Sequence, residues 1–533
     1  MQESMFGVET EYAFTQFARG GEALQRQVGL ESMLASVPEK LQCLRDSRGS
    51  GFYLSNGSRL YIDVGQHPEL STPECLDPWE AVRYVLAGER ILGILAREIE
   101  RKHPGSKVSV YRCNVDYVTR QTWGCHESYL HRTTTAALAE EIIPHLVSRL
   151  IYTGSGGFNH HSSGTEFTLS PRVAHLGKNI SGESTRDRGI FHTKDEPLCT
   201  NGYHRLHVLC GESLCSQLGT FLKIGTTALV VRMIEAGVCR GREVALLAPP
   251  TAMRRFATDP SCTRREALEN GKKLSALEIQ RHYLEAAETH ASRDFMPPWA
   301  GEVCAEWRRM LDRLEGGAAA VETVLDWGIK LTLFREHARK HGGSLDDLVL
   351  RAPAVARTPA TPPRPQGRPR LDPELMMLIR DGRFTERQTR LSQLLESRRS
   401  ALETLPSFPA LHAELFALDT RFGELGPGGI FFALDAAGVL DHRLQRVGDV
   451  EEAVHQPPVL GRAHERGRAI MRHCGDPQRY TGEWQAIVDH QLRRIFDLGD
   501  PFVRNPSWVD RSSAGRPSES SQRRRMRLQR MPR

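Results

Sequence analysis

Residues 59–64, Arg-Leu-Tyr-Ile-Asp-Val, alternate polar and aliphatic side chains without a break. Period-2 alternation puts Arg59, Tyr61 and Asp63 on one face of a strand, with Leu60, Ile62 and Val64 packed beneath. Gly65 ends the run, and His67, Pro68 and Glu69 are expected in a turn or a second short strand. Alone, the pattern also suits an ordinary edge strand with a solvated polar face. Residues 6–12, FGVETEY, narrow the choice. Here Glu9 and Glu11 share one face, and Phe6, Val8, Thr10 and Tyr12 take the other. Two like charges at i and i+2 repel unless a cation sits between them. Oxygen-only donor sets suit Mg²⁺, which keeps waters and takes its remaining ligands from substrate phosphates. Two polar-faced strands carrying Glu9, Glu11, Arg59, Tyr61, Asp63 and Glu69 therefore point to a cation site on a sheet.

At 533 residues the chain has room for about three domains. The formal charge of +6 is concentrated at one end, because residues 511–533 hold eight arginines and one glutamate. The body is close to neutral, so nucleic-acid binding is expected of the tail or not at all. No basic stretch followed by an apolar run opens the sequence, and no run approaches the roughly 20 apolar residues that span a bilayer. The 11 cysteines are scattered, without a paired C-x-x-C framework, as expected of reduced thiols in a cytoplasm.

A helix is expected near residues 30–44. Asp77-Pro78-Trp79-Glu80 opens another that runs to about His103, with Asp77 as cap and Glu80 completing a capping box. Residues 107–112 read as a strand, and 133–151 as a helix kinked at Pro144. The Gly/Ser-rich 154–164, with His160 and His161, lacks a Walker-type Gly-Lys-Ser ending and reads as a loop. Strands follow at 167–169 and 204–210, then an apolar helix over 213–236 ended by Gly237. Helices dominate 274–342. The prolines of 353–371 make a linker or insertion, and 374–404 is charged and helical. The expected organisation is a catalytic domain over 1–352, a Pro-rich linker and charged helical insertion over 353–407, a small C-terminal domain over 408–510, and a disordered Arg-rich tail over 511–533.

The ordered segments FGVETEY (6–12), NGSRLYIDVGQHPELSTPEC (56–75), GCHESYL (124–130), TKDEP (193–197), RLHV (205–208) and LKIGTTAL (222–229) resemble the Pup ligase and depupylase family. This is the proteasome accessory factor A group of glutamine-synthetase-like carboxylate–amine ligases. The resemblance covers about residues 4–345 and resumes weakly around 413–505. It implies an α+β fold, with a glutamine-synthetase-like antiparallel sheet cradle backed by helices and a small C-terminal domain closing the nucleotide end. It implies ATP and Mg²⁺ as cofactors. By motif, Glu9, Tyr61 and Glu69 match magnesium positions, Arg59 and Thr72 nucleotide contacts, Asp63 the catalytic base, and Trp484 a residue near the adenine. Glu11 and His126 resemble further metal or phosphate-site residues, and Arg205 sits where this fold steers a phosphate or carboxylate. From the residues alone, Asp63 could instead be a metal ligand or pair with Arg59, His126 a core histidine, and Trp484 core packing.

The implied activity is ATP-dependent joining of the C-terminal Glu side-chain carboxylate of a small, disordered Pup-like modifier to lysine amines of target proteins, through a γ-glutamyl phosphate. DVGQHPE (63–69) and GCH (124–126) are closer to the ligase branch. The interval between the Glu9 and Asp63 strands is too short for the extra loop of the depupylases. A depupylase or deamidase of the same modifier, and another glutamate–amine ligase, are the alternatives. Lys194 and Leu198 depart from the family's usual arginine and histidine, and 353–407 and the basic tail have no counterpart in it.

Overall fold

The computed structural model describes residues 4–18, 23, 25–47, 49, 51–117, 121–159, 166–182, 188–192, 201–341, 345 and 408–511. The expectations for His160, His161, the 193–197 motif, the 353–407 segment and the tail beyond residue 511 lie outside these. No helix of the described residues is long and apolar enough to cross a membrane.

The alternation of residues 6–12 is realised as the Phe6–Glu11 strand, in which Phe6, Val8 and Thr10 are buried and Glu9 and Glu11 are partly open. It is the central member of a nine-stranded sheet. The order is Leu176–Ser181, Arg188–His192, His204–Val208, Cys125–His131, Phe6–Glu11, Pro68–Ser71, Arg59–Ile62, Gly51–Leu54 and Cys43–Arg45. Every neighbouring pair is antiparallel except Leu176–Ser181 with Arg188–His192. The chain is thus α+β, as its pattern of strands and helices predicts, on the antiparallel cradle that the resemblance implies.

The apolar face buries Leu60, Leu70, Val8 and Phe6 against helices Pro78–Lys102 and Gln217–Glu235 in one core. Each fully buried aliphatic there contributes roughly 1.5–3 kcal/mol. Asp77 caps the first of these helices by accepting from the Glu80 N–H at 2.8 Å, with Pro78 in the first helical position. Glu80 reaches back to the Leu76 N–H at 3.0 Å, one residue earlier than a capping box requires. The early helix spans Arg26–Lys40 rather than 30–44, because Cys43–Arg45 is recruited to the sheet edge beside Gly51–Leu54.

One element of the alternating stretch departs from expectation. The strand ends at Ile62, and Val64 is 97% exposed instead of packed beneath the sheet. Residues 63–66 form the tip of a hairpin, in which the Gln66 N–H donates to Asp63 O at 3.1 Å and Gln66 takes a φ of 62°. A turn breaks the period-2 rule at the position where the chain reverses.

The described C-terminal residues divide among three cores, one of which gathers Phe422 and Phe431 around Cys215 and Ile329. Leu411 and Leu415 of the Phe408–Phe422 helix join the main core. A four-stranded antiparallel sheet, Tyr480–Gly482, Ala486–Asp489, Arg494–Asp497 and Trp508–Asp510, shares a smaller core with Leu44 and Tyr53 of the cradle's edge.

Candidate active site

Antiparallel register decides which side chains meet. Glu9 lies opposite Ser71 and His126, Glu11 opposite Glu69, and Glu69 opposite Tyr61. Residues directly opposed point to the same face, so one polar row crosses the sheet. Glu9, Glu11, Glu69, Tyr61, Arg59 and His126 are all brought together on it. The Tyr61 hydroxyl donates to Glu9 at 3.1 Å, as does Ser71 at 3.4 Å.

The electrostatics of this row describe an acid cluster in need of a cation. Burial, reinforced by Glu9 and Glu11, lifts the Glu69 carboxyl well above the ordinary carboxylate range. Burial works the same way on Glu9, but hydrogen bonding to His126 and the charge of His207 outweigh it and hold Glu9 far below that range. Glu11 is likewise held at about 2, where His67 and the Gly124 N–H offset its burial. Three carboxylates at this spacing do not all stay ionised by themselves: either Glu69 takes a proton or a metal ion sits among them. Hard carboxylate oxygens suit Mg²⁺. Donor atoms of Glu9, His126 and His207 lie within 4.8 Å of one another, as do those of Glu11, Asp63 and His67.

Asp63 stands at the edge of this row. Its side chain is 17% exposed, away from the hydrocarbon interior. Asp63 Oδ1 accepts from the His67 N–H at 2.6 Å, and the His67 ring lies 3.5 Å from Oδ2 and 3.3 Å from Glu11. Burial pulls the His67 imidazole down, but these two carboxylates more than offset it and raise its pKa. The hairpin tip has no spare room, since a Cβ on Gly65 would stand 2.8 Å from the His67 ring and 3.0 Å from Asp63 Oδ2. Gly65→Ala is therefore expected to displace both side chains and lower turnover at least tenfold, with little change in melting temperature. Parallel kinetic and thermal measurements check this. Gly124 is constrained similarly: its N–H donates to Glu11 at 2.7 Å, and a Cβ would meet His126 at 2.8 Å.

Beside the row opens a cleft lined among others by Glu9, Thr72, Glu74, Arg205, Arg462 and Trp484. The Nε of Arg205 is buried without a hydrogen-bond partner among the described residues, as fits a guanidinium kept for an anion. Thr72 lines the cleft, but its hydroxyl accepts from the Val8 N–H at 3.1 Å and donates to Pro73 O at 2.9 Å. Arg59 is placed next to the row, not on the cleft wall. It binds Asp46 at 2.8 Å and stacks over Tyr61 at 4.0 Å, so Asp46 rather than Asp63 is its carboxylate partner. Trp484 meets Tyr53 edge-on at 5.4 Å and lies under Arg466 at 4.7 Å, so it both packs and faces the cleft.

Sequence reasoning left several residues without a role. His207 and His192 extend the imidazole wall beyond His126, with ring separations of 5.1 and 6.2 Å. The alternation of residues 204–210 put His207 on the Arg205 face and was the available signal. Glu74 is a second omission. It is gripped by Arg462 and Arg466, and Arg466 also donates to Gly57 O at 2.8 Å and Trp484 O at 3.1 Å. This clamp fixes the Gly461–His473 helix to the cleft.

Against the opposing effect of burial, the two arginines hold the Glu74 carboxyl at about 2. Its folded-state pKa is depressed, so its stabilisation is complete above the free glutamate value near 4.5 and fades as pH falls toward 2. In acid titrations followed by tryptophan fluorescence, the wild type is expected to lose an increment in that window that Glu74→Gln lacks.

A profile described as Pup-ligase protein matches residues 4–354. The chain is 31% identical to the Pup–protein ligase of Acidimicrobium ferrooxidans, over 95% of this chain and 97% of that one. It is 35% identical to the Pup–protein ligase of Actinosynnema mirum, over 96% and 99% respectively. Among solved structures, the complex of the prokaryotic ubiquitin-like protein Pup with its ligase PafA superposes with a TM-score of 0.72 at 24% identity, covering 99% of this chain and 95% of that one. PafA in complex with ADP superposes with a TM-score of 0.64 at 24% identity, covering 95% and 94%.

Proposed function

The chain belongs to the Pup-ligase family, and from that membership we propose that it is an ATP-dependent ligase that attaches a Pup-like modifier to lysines of target proteins. The observation that carries the reading is the convergence of Glu9, Glu11 and Glu69 on one sheet face beside the Arg205 cleft, with Asp63 at the row's edge.

In the first half-reaction, a side-chain carboxylate at the modifier's C-terminus attacks the γ-phosphorus of ATP, giving an acyl phosphate and ADP. Little covalent chemistry is asked of the protein there, and positioning with charge neutralisation does most of the work. Arg205 is assigned to an anionic group in the cleft, Thr72 and Trp484 to the nucleotide's walls, and Arg59 to orienting Tyr61. Mg²⁺ held by Glu9, Tyr61 and Glu69, with Glu11 and His126 beside them, would supply neutralisation of the phosphate oxygens. In the second half-reaction the lysine amine adds to the acyl carbon and phosphate leaves. Asp63 takes the amine's proton, and His67 holds Asp63 in place. Residues 408–511 are assigned to closing the nucleotide end. The described cysteines are free thiols, and a cytoplasmic location is part of the proposal because it keeps them reduced.

The test incubates the full chain with ATP, Mg²⁺, a target protein and a modifier ending in Glu, followed by intact mass. The expected result is adducts heavier than the target by one modifier less one water. Release of modifier from preformed conjugates, or deamidation of a Gln-ended modifier, without new adducts would replace ligation by the hydrolytic reading.

A further inference from the structure

Far from the acidic row in sequence, His337 and His341 stand one turn apart at the end of the Asp326–Lys340 helix, and Glu414 faces them from the Phe408–Phe422 helix. Glu414 Oε2 lies 2.8 Å from His337 Nε2 and 3.3 Å from His341 Nε2. The two rings are 4.5 Å apart, and all three donor atoms lie within 4.8 Å of one another. Two histidines at i and i+4 on one helix face, completed by a carboxylate, form a familiar tridentate donor set. Four-coordinate zinc, with bonds of about 2.0–2.2 Å, spaces its ligand atoms by roughly 3.3 Å, which small side-chain rotations reach from here.

The orientation of His341 adds a second, independent observation. Its Nδ1 lies 3.0 Å from the His337 carbonyl oxygen. A carbonyl only accepts, so Nδ1 carries the proton and Nε2 is the ring atom turned toward Glu414, placed to bind a metal. An imidazole N–H bonded to a backbone carbonyl is also how metal-bound histidines are commonly held.

We propose that His337, His341 and Glu414 form a site for a divalent transition metal of the Zn²⁺ class, with water completing the coordination, separate from the acidic row. The site joins the helices that flank residues 342–407 in sequence, and so fixes where the chain re-enters the fold. Further along the same helix, Asp419 already binds Lys330 at 2.6 Å and Tyr117 at 2.6 Å. The metal would close the end of the seam that this ion pair leaves open.

The test titrates the full chain with Zn²⁺ in excess Mg²⁺ by calorimetry, and repeats the titration with Co²⁺ to read its visible bands. The variants are the His337→Asn/His341→Asn pair, His341→Asn alone, and His126→Asn as a control in the acidic row. The expected result is one equivalent in the wild type and in His126→Asn, at least tenfold weaker binding in His341→Asn, and none in the double variant. His341 is 46% exposed, so its single variant retains the fold and keeps the test meaningful. Equal zinc uptake by wild type and double variant, no uptake by the wild type, or loss confined to His126→Asn would each overturn the proposal.

Discussion

Replacing Asp63 by Asn is expected to suppress isopeptide formation by about 10²–10⁴-fold while leaving nucleotide binding unchanged, the range associated with a positioned general base. A free lysine titrates near ~10.4, so at neutral pH about three units, or roughly 4 kcal/mol, separate it from a neutral nucleophile. Asp63 sits where an approaching amine can reach it, at an exposed hairpin tip beside the acid row. Asn keeps the oxygen that accepts from the His67 N–H, so the tip retains its shape and the loss reports the base alone. Conjugation rate and ADP affinity, measured on the same preparation, check the split.

Glu9→Gln is expected to have the second largest effect, lowering both activity and stability. Glu9 is the carboxylate at the centre of the row, touched by Tyr61 and Ser71 and flanked by His126 at 3.6 Å and His207 at 3.9 Å. Removing its charge removes the neighbour that, after burial, does most to raise Glu69. It also gives up the His126 and His207 contacts that hold Glu9 far below the carboxylate range and so stabilise the fold, a loss that relief at Glu69 only partly offsets, and the metal-free variant should melt lower than the wild type. The same change removes a carboxylate proposed to hold Mg²⁺, and on that proposal turnover should fall by at least about 10²–10³-fold, as for other preorganised charge contacts. Thermal unfolding with and without Mg²⁺, beside ADP formation, checks both halves. Mg²⁺ should stabilise the wild type and not the variant.

Much of the site was legible because it is built from period-2 alternation. Glu9 and Glu11, and Arg59 and Tyr61, were placed on one face by spacing alone, and register then brought Glu69 opposite both Glu11 and Tyr61. The same rule failed at Val64, because a hairpin tip has no buried face. The first helix was displaced because Cys43–Arg45 is decided by pairing with Gly51–Leu54, and not by helix propensity. The Glu74 clamp was invisible for a different reason. Its arginines lie 388 and 392 residues away, and no local pattern marks a buried ion pair whose halves meet only in the folded chain. Removing Arg466 with Arg466→Met would leave Arg462 as the remaining partner of the largely buried Glu74, so the loss should fall below the roughly 3–5 kcal/mol of orphaning a buried charge outright. The His207 wall was half legible, since alternation gave its face and only the sheet order gave its neighbours.

The proposed division of labour across the row assigns different residues to the two half-reactions, and a single-turnover experiment reads it directly. Enzyme, ATP, Mg²⁺ and modifier are mixed without a target protein, and ADP is quantified over time in the wild type, Asp63→Asn and Glu9→Gln. The predicted result is equal ADP formation by wild type and Asp63→Asn and almost none by Glu9→Gln. ADP formation lost in Asp63→Asn, or preserved in Glu9→Gln, would contradict it.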